Sequence, residues 1–370
     1  MFLRTFGGSI GVAVVGLLAG LLYGGGKGLA LTAILAVLEV SLSFDNAVVN
    51  ATVLVRMSPF WQKIFLTVGV AIAVFGMRLL FPLLIVGITA KLGPIEAVRL
   101  ALEKGDPDQP GTYGYLLHQA HPTIAAFGGM FLLMIFLDFI FEERELAWLR
   151  WIERPLARIG KLDQLSVIVA LSGLAIAAYT LGQSADTAQA DRISTVLVAG
   201  VLGVVTYLVV SSLDSFFEED EDDGEFEQAM TKKQAMHVVG KQAFFLFLYL
   251  EVLDASFSFD GVIGAFAITS DPIIIAIGLG IGAMFIRSLT VFLVRKRTLS
   301  EYVYLEHGAM WAIGALAVIL LVTIEYEVPE LVTGLIGVAF IGAALLSSIV
   351  RNRRESLDDV SASAPESAAV

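Results

Sequence analysis

The chain has no cysteine, and only four histidines and ten prolines in 370 residues. The lack of cysteine excludes a disulfide scaffold, a thiolate metal centre and a cysteine nucleophile. Charge is also scarce: 16% of residues are Asp, Glu, Lys or Arg, against about a quarter in a soluble domain. No GxSxG, HExxH or P-loop segment occurs, so the common hydrolase, zinc-protease and nucleotide signatures are missing. A net charge of −12 argues against a nucleic-acid partner. The expectation is a protein that is not an enzyme and holds no resident cofactor.

Apolar residues fill the space that charge leaves. The hydrophobic set makes up 57% of the chain, with 35 Gly, 24 Phe and a mean hydropathy of +0.80. A spanning helix needs about 20 mostly apolar residues. Ten stretches qualify: Gly7–Tyr23, Gly28–Val55, Ile64–Ala90, Thr123–Phe141, Leu165–Leu181, Ile193–Leu213, His237–Ile268, Pro272–Val294, Leu305–Ile324 and Leu331–Val350. The fold class expected is an all-α polytopic membrane protein with about ten transmembrane helices, forming one transmembrane domain over residues 1–355. Two alternatives bear on the count. The first stretch could be a signal peptide, although no clear small-x-small cleavage site precedes the Gly24–Gly26 cluster. The pair Leu165–Leu181 and Ile193–Leu213 could be peripheral to the working core.

Orientation follows from Lys and Arg. If all ten stretches span, Arg4, Arg56, Lys63, Arg144 to Lys161, Lys232, Lys233, Lys241, Arg295 to Arg297 and Arg351 to Arg354 share one side. Lys27, Lys91, Arg99, Lys104 and Arg192 take the other. The asymmetry puts both termini in the cytoplasm, as expected for a protein of a bacterial inner membrane. Between the spans, residues 91–122 read as a long outer loop, and an acidic cytoplasmic loop covers 214–230. The tail 356–370 is rich in Ser, Ala and Asp and reads as disordered.

A repeat organises the apolar stretches. EVSLSFDN starts at Glu39 and DASFSFDG at Asp254, an offset of 215. Ser41/Ser256, Ser43/Ser258, Phe44/Phe259 and Asp45/Asp260 are identical, and Glu39/Asp254 is a carboxylate in both. Arg78 and Arg287 each lie late in the next apolar stretch. The motifs fall in the second and seventh spans, so they run in opposite directions, as in an inverted-topology repeat. Repeat one covers about 28–142 and repeat two about 237–324.

A carboxylate at the centre of a spanning helix costs about 2.5–3.5 kcal/mol on insertion scales. Glu39, Asp45, Asp254 and Asp260 are four such groups, and Glu251 is a fifth, three residues before Asp254. Arg78 and Arg287 compensate two of them. A cation or protons must balance the rest, unless the acids and arginines pair only to pack helices. Glu39, Ser43, Asn46 and Asn50 form one helical stripe, which Asp254 and Ser258 repeat. Its oxygen donors suit Mg²⁺, Ca²⁺ or Mn²⁺. Metal-ligand candidates are therefore Glu39, Asp45, Asn46, Asp254 and Asp260, with Ser43, Asn50, Arg78, Glu251, Ser258 and Arg287 in support. The Ser stripe alone could equally serve interhelical hydrogen bonding. Weaker candidates are Asp138, and His118 and His121 in the outer loop.

These residues resemble the TerC family of integral membrane proteins, named for tellurium resistance and placed in the LysE superfamily of exporters. EVLDASFSFDGVIGAFAITSDP from Glu251 is similar to the family's second acidic motif. GAMFIRSL, ending at Leu289, is similar to its Gly-x4-Arg-Ser segment. EVSLSFDNAVV and GVAIAVFGMRLL resemble the first motif and its downstream arginine helix. Tyr304, Leu305 and Gly308 also fit. The resemblance covers about 31–88 and 242–320. It implies a transporter linked to manganese export and metal homeostasis, with Glu39, Asp45, Asn46, Asp254 and Asp260 along the ion path. The acidic loop, the middle spans and Gly261, where the family often has Ser, mark a divergent branch.

The function expected is a secondary transporter, an exporter, of a divalent cation, Mn²⁺ first and Ca²⁺ second. The alternative is a non-transporting membrane protein that binds metal or delivers it to partners. An intramembrane aspartyl protease would also need two Asp on separate spans, but the Gly-x-Gly-Asp context is missing. Expected partners are the lipid bilayer and the cation substrate. Oligomeric state is not legible.

Overall fold

The structure is a computed structural model. It describes residues 2–103, 105, 108–144, 146–162, 164–182, 187–219, 240–269, 271–295, 302–326 and 328–362, and within these some side chains, Asp45 and Asp260 among them, lie outside the description. The regular elements among the described residues are all helices, without strands. Seven of the helices are long and apolar enough to cross a membrane, which makes the chain an integral membrane protein. Many apolar side chains point outward along them, such as Val15, Leu22, Phe75 and Val198. Such faces suit a lipid solvent.

All ten expected stretches are helical where described, and at three places they merge or depart from one long apolar helix per stretch. The first two stretches share one helix, α1 (Phe2–Leu42), broken at Gly25, where φ is +62°. Only glycine adopts that backbone cheaply. The break is sharp: a Cβ on Gly20 would lie 2.4 Å from Oγ1 of Thr32, twelve residues on, so the chain doubles back. α8 (Leu165–Gly182) is short, with its apolar part at Leu165–Tyr179. α10 (Gly240–Ile268) is long enough but carries the second acidic motif. Residues 237–239, expected at its start, lie outside the description.

The α1 hairpin clasps α11 (Pro272–Arg295). On one arm, the Ser9 hydroxyl donates to the Met284 carbonyl at 2.8 Å, and the Phe6 and Phe292 rings are 6.1 Å apart. On the other arm, Leu35 packs on Gly278, and Glu39 packs on Gly282. After α1 the chain kinks at Ser43 and continues as α2 (Phe44–Leu54). The third stretch is a composite: α3 (Pro59–Ile64), π-helical turns at Phe65–Gly69 and Ile72–Leu80, then α4 (Phe81–Thr89). α5 (Pro94–Leu102) follows.

The apolar core surrounds α6 (Tyr113–Phe141), where Met130, Phe131, Leu132 and Met134 are buried. α6 corrects the expected outer loop. It begins ten residues early because the Thr112 hydroxyl caps it, accepting from the Tyr115 amide at 3.3 Å, and it runs through Pro122. His118 and His121 therefore lie on a helix. α7 (Arg150–Ile159), α8, α9 (Thr187–Glu219), α12 (Leu305–Thr323) and α13 (Glu330–Ala362) complete the bundle. The acidic loop lies outside the described residues beyond Glu219. α13 runs through Arg354 to Ala362, into the stretch expected as a disordered tail, and 363–370 lie outside the description.

Candidate functional site

The first motif straddles the α1–α2 kink. Ser43 there has φ −99° and ψ 18°, while backbone bonds still run from its amide to Glu39 and from Ala47 to its carbonyl. Its hydroxyl donates to Oε1 of Glu39 at 3.0 Å. Glu39 is 1% exposed and also accepts from the guanidinium of Arg78. Arg78 reaches it from the second π-helical segment and donates to the Ala73 carbonyl at 2.6 Å. Widened π turns recur at functional sites because they re-aim side chains. Gly282 of α11 makes room: a Cβ there would stand 2.4 Å from the Glu39 side chain.

The second motif lies within the continuous α10. Asp254 is buried and takes Nη2 of Arg287 at 3.4 Å. The same nitrogen contacts the Gly69 carbonyl at 3.3 Å and Oε1 of Glu251 at 3.8 Å. The guanidinium lies 3.8 Å from the centre of the Phe65 ring, a cation–π contact that sequence reading missed. Glu251 is buried, and neither carboxyl oxygen has a hydrogen-bond partner among the described residues. Ser258 and Asn50 are likewise buried, with no hydrogen-bond partner for Oγ of Ser258 or for either amide atom of Asn50.

The two motifs touch crosswise. Asn46 donates from Nδ2 to Oδ1 of Asp254 at 2.9 Å. A Cβ on Gly261 would lie 2.9 Å from Oε2 of Glu39. Asn46 and Gly261 hold the same place in the two motifs, as do Glu39 and Asp254. Each leading carboxylate thus meets its own arginine and the residue seven places along the other motif.

Glu39, Ser43, Asn46, Arg78, Glu251, Asp254 and Arg287 are therefore gathered. The metal-ligand candidates Asp45 and Asp260 have side chains outside the described residues. Among the described residues, no three His, Asp or Glu side chains cluster closely enough to hold a metal ion. Asp138 stands apart, accepting from the Tyr207 hydroxyl at 2.5 Å. A cavity of about 970 Å³ lined by Asp138, Tyr207 and Arg56 stops at Thr52 and Tyr249, short of the carboxylates. From another direction, a pocket of about 80 Å³ lined by Val98, Tyr113 and Pro272 reaches Arg78.

No curated protein and no solved structure matches the chain. One family spans most of it, from Phe44 to Glu355, which takes in both arginines and the second motif but begins after Glu39, and the chain belongs to that family, described as a protein of unknown function (DUF475).

Proposed function

We propose that the protein is a secondary transporter that exports a divalent cation, Mn²⁺ before Ca²⁺, through a site shared by two inverted repeats. The observation that carries this reading is the crosswise contact of two matching acid–arginine units inside a bundle of apolar helices. A buried charge pair costs desolvation energy, so a structure that needed only helix packing would do as well with apolar residues. The excess of acids over arginines leaves charge for a cation to neutralise. The resemblance to the TerC family and the oxygen-only donor set support a hard cation over Zn²⁺ or Cu⁺.

In this reading Asp45 and Asp260 are direct ligands from opposite repeats, and the Asn46 carbonyl is a neutral one. Glu39 and Asp254 join them when the cation displaces Arg78 and Arg287. A proton or ion gradient drives the cycle, since no nucleotide motif is present. Alternating access rocks one repeat against the other, with ten crossings, both termini in the cytoplasm, and an inner-membrane location.

The test is Mn²⁺ flux in proteoliposomes under an imposed pH gradient, for the wild type beside Asp45→Asn and Asp260→Asn. Each substitution should abolish flux while the protein remains inserted and folded. Normal flux in both would remove the assigned site. No wild-type flux in either gradient direction would leave the acid–arginine units as packing elements or as a static metal-delivery site.

A further inference from the structure

α7 is a short helix with three differently built faces. Arg150, Arg154 and Arg158 recur every four residues and are exposed. Trp151, Pro155 and Ile159 form the neighbouring stripe, also exposed, with Trp151 at 78%. The third face holds buried Glu153, which pins the helix in place. Its carboxylate accepts from the Trp148 and Leu149 amides at 2.9 and 3.2 Å and from the Trp311 indole at 3.0 Å, and Nδ1 of His307 is 3.2 Å away.

This clamp fixes the depth of α7. His307 lies in the first turn of the span Leu305–Thr323, and its ring packs 5.2 Å from Phe139, near the end of the span Tyr113–Phe141. Gly160, which ends α7, sits against the Phe141 carbonyl. The helix therefore lies where two spans leave the apolar layer. An exposed Trp and Ile beside an arginine stripe is the pattern of a helix at the lipid–water boundary.

Beside α7 is a cavity of about 450 Å³, lined by Arg144, Arg154, Arg158 and the apolar Phe139, Ile140 and Leu146. Three acids also line it, but each is engaged. Glu142 pairs with Arg144 at 2.5 Å, Glu143 with Lys161 at 3.0 Å, and Glu153 forms the clamp. Arg154 and Arg158 have no ion-pair partner among the described residues. Two uncommitted guanidinium groups thus face a cavity with an apolar wall, in a chain of net charge −12.

We infer that α7 and this cavity bind the headgroup of an anionic phospholipid, with Arg154 and Arg158 on its phosphate and Trp151 and Ile159 among the acyl chains. Guanidinium groups suit phosphate oxygens through paired N–H donors, and the apolar wall suits the carbon chains attached to a lipid phosphate. The inference needs the protein to be in a membrane but does not depend on what it transports.

The test is lipid titration of the detergent-solubilised full-length chain, read by native mass spectrometry. Wild type should retain phosphatidylglycerol in preference to phosphatidylcholine. R154Q/R158Q should bind phosphatidylglycerol about thirtyfold more weakly, from about 1 kcal/mol per arginine near an anionic surface, and R154K/R158K should recover part of that loss. Brominated phosphatidylglycerol should quench indole fluorescence more in wild type than in W151F. Equal retention of the two lipids by wild type, a comparison that needs no variant, would overturn the inference. So would unchanged affinity in R154Q/R158Q. Displacement of the lipid by millimolar inorganic phosphate would show a soluble-anion site instead.

Discussion

Asn46 on α2 donates a 2.9 Å hydrogen bond to Asp254 on α10, 208 residues further along the chain, and so joins the two motifs. Hydrogen bonds between membrane helices are worth only about 0.6 kcal/mol on average and at most ~1.7. Asn46→Ala should therefore leave the protein folded, with a loss near 1 kcal/mol. Asn46→Asp places a like charge against Asp254 and should destabilise the protein more, unless a divalent cation is supplied. Thermal melts of the three proteins with and without Mn²⁺ read this directly. If Mn²⁺ stabilises Asn46→Asp no more than wild type, Asn46 does not face a cation site.

The Glu39–Arg78 pair separates transport from packing. Both groups are buried. Removing one partner of a buried pair costs about 3–5 kcal/mol, because the other is left uncompensated. Arg78→Gln alone should therefore express poorly or melt early, and adding Glu39→Gln should restore much of the stability. In the transport reading the restored double variant is still inactive in Mn²⁺ flux, because Glu39 is lost. Flux returning together with stability would make Glu39 a packing residue.

The acids and arginines were legible as residues, because charge at membrane depth is costly and conspicuous. Their partners were not. Nothing local to α10 says that Asp254 would meet Asn46, or that Arg287 would lie on the Phe65 ring 3.8 Å away. Those contacts depend on which helices become neighbours. Apolar length located the helices well, while their ends needed other information: the cap at Thr112 and the tolerance of Pro122 lengthened α6. Gly25 was visible within the Gly24–Gly26 cluster, but its positive φ and the hairpin it allows come from the structure.

Glycine positions at the site give an asymmetric pair of predictions. A Cβ on Gly282 would meet the Cβ and Cγ of Glu39 at 2.4 Å, atoms held by the α1 backbone. Gly282→Ala should therefore push α11 from α1 and cost about 1–3 kcal/mol, the usual range for overpacking. At Gly261 the nearest atom is Oε2 of Glu39, the far end of a flexible side chain, at 2.9 Å. Gly261→Ser should be tolerated, since a small rotation of Glu39 relieves the contact and the new hydroxyl can donate to it. Comparing melting points of the two variants checks the contrast, and a larger loss at Gly261 would contradict it.

Glu153 gives a pH signature outside the spans. Burial alone would raise its carboxyl. The neighbouring His307 ring, the Trp311 indole and the Leu149 amide outweigh burial and hold it near 2, down from about 4.5. The folded state therefore binds this proton more weakly than the unfolded chain does. The stabilisation is fully present above about pH 4.5 and is lost as pH falls toward 2. The difference between 4.5 and about 2 corresponds to at most about 3.4 kcal/mol. Glu153→Gln should lower the melting point at pH 6, and the gap to wild type should close as pH falls through that window. A gap that stays constant from pH 6 to pH 2 would mean that the carboxylate charge does not hold α7 against α12.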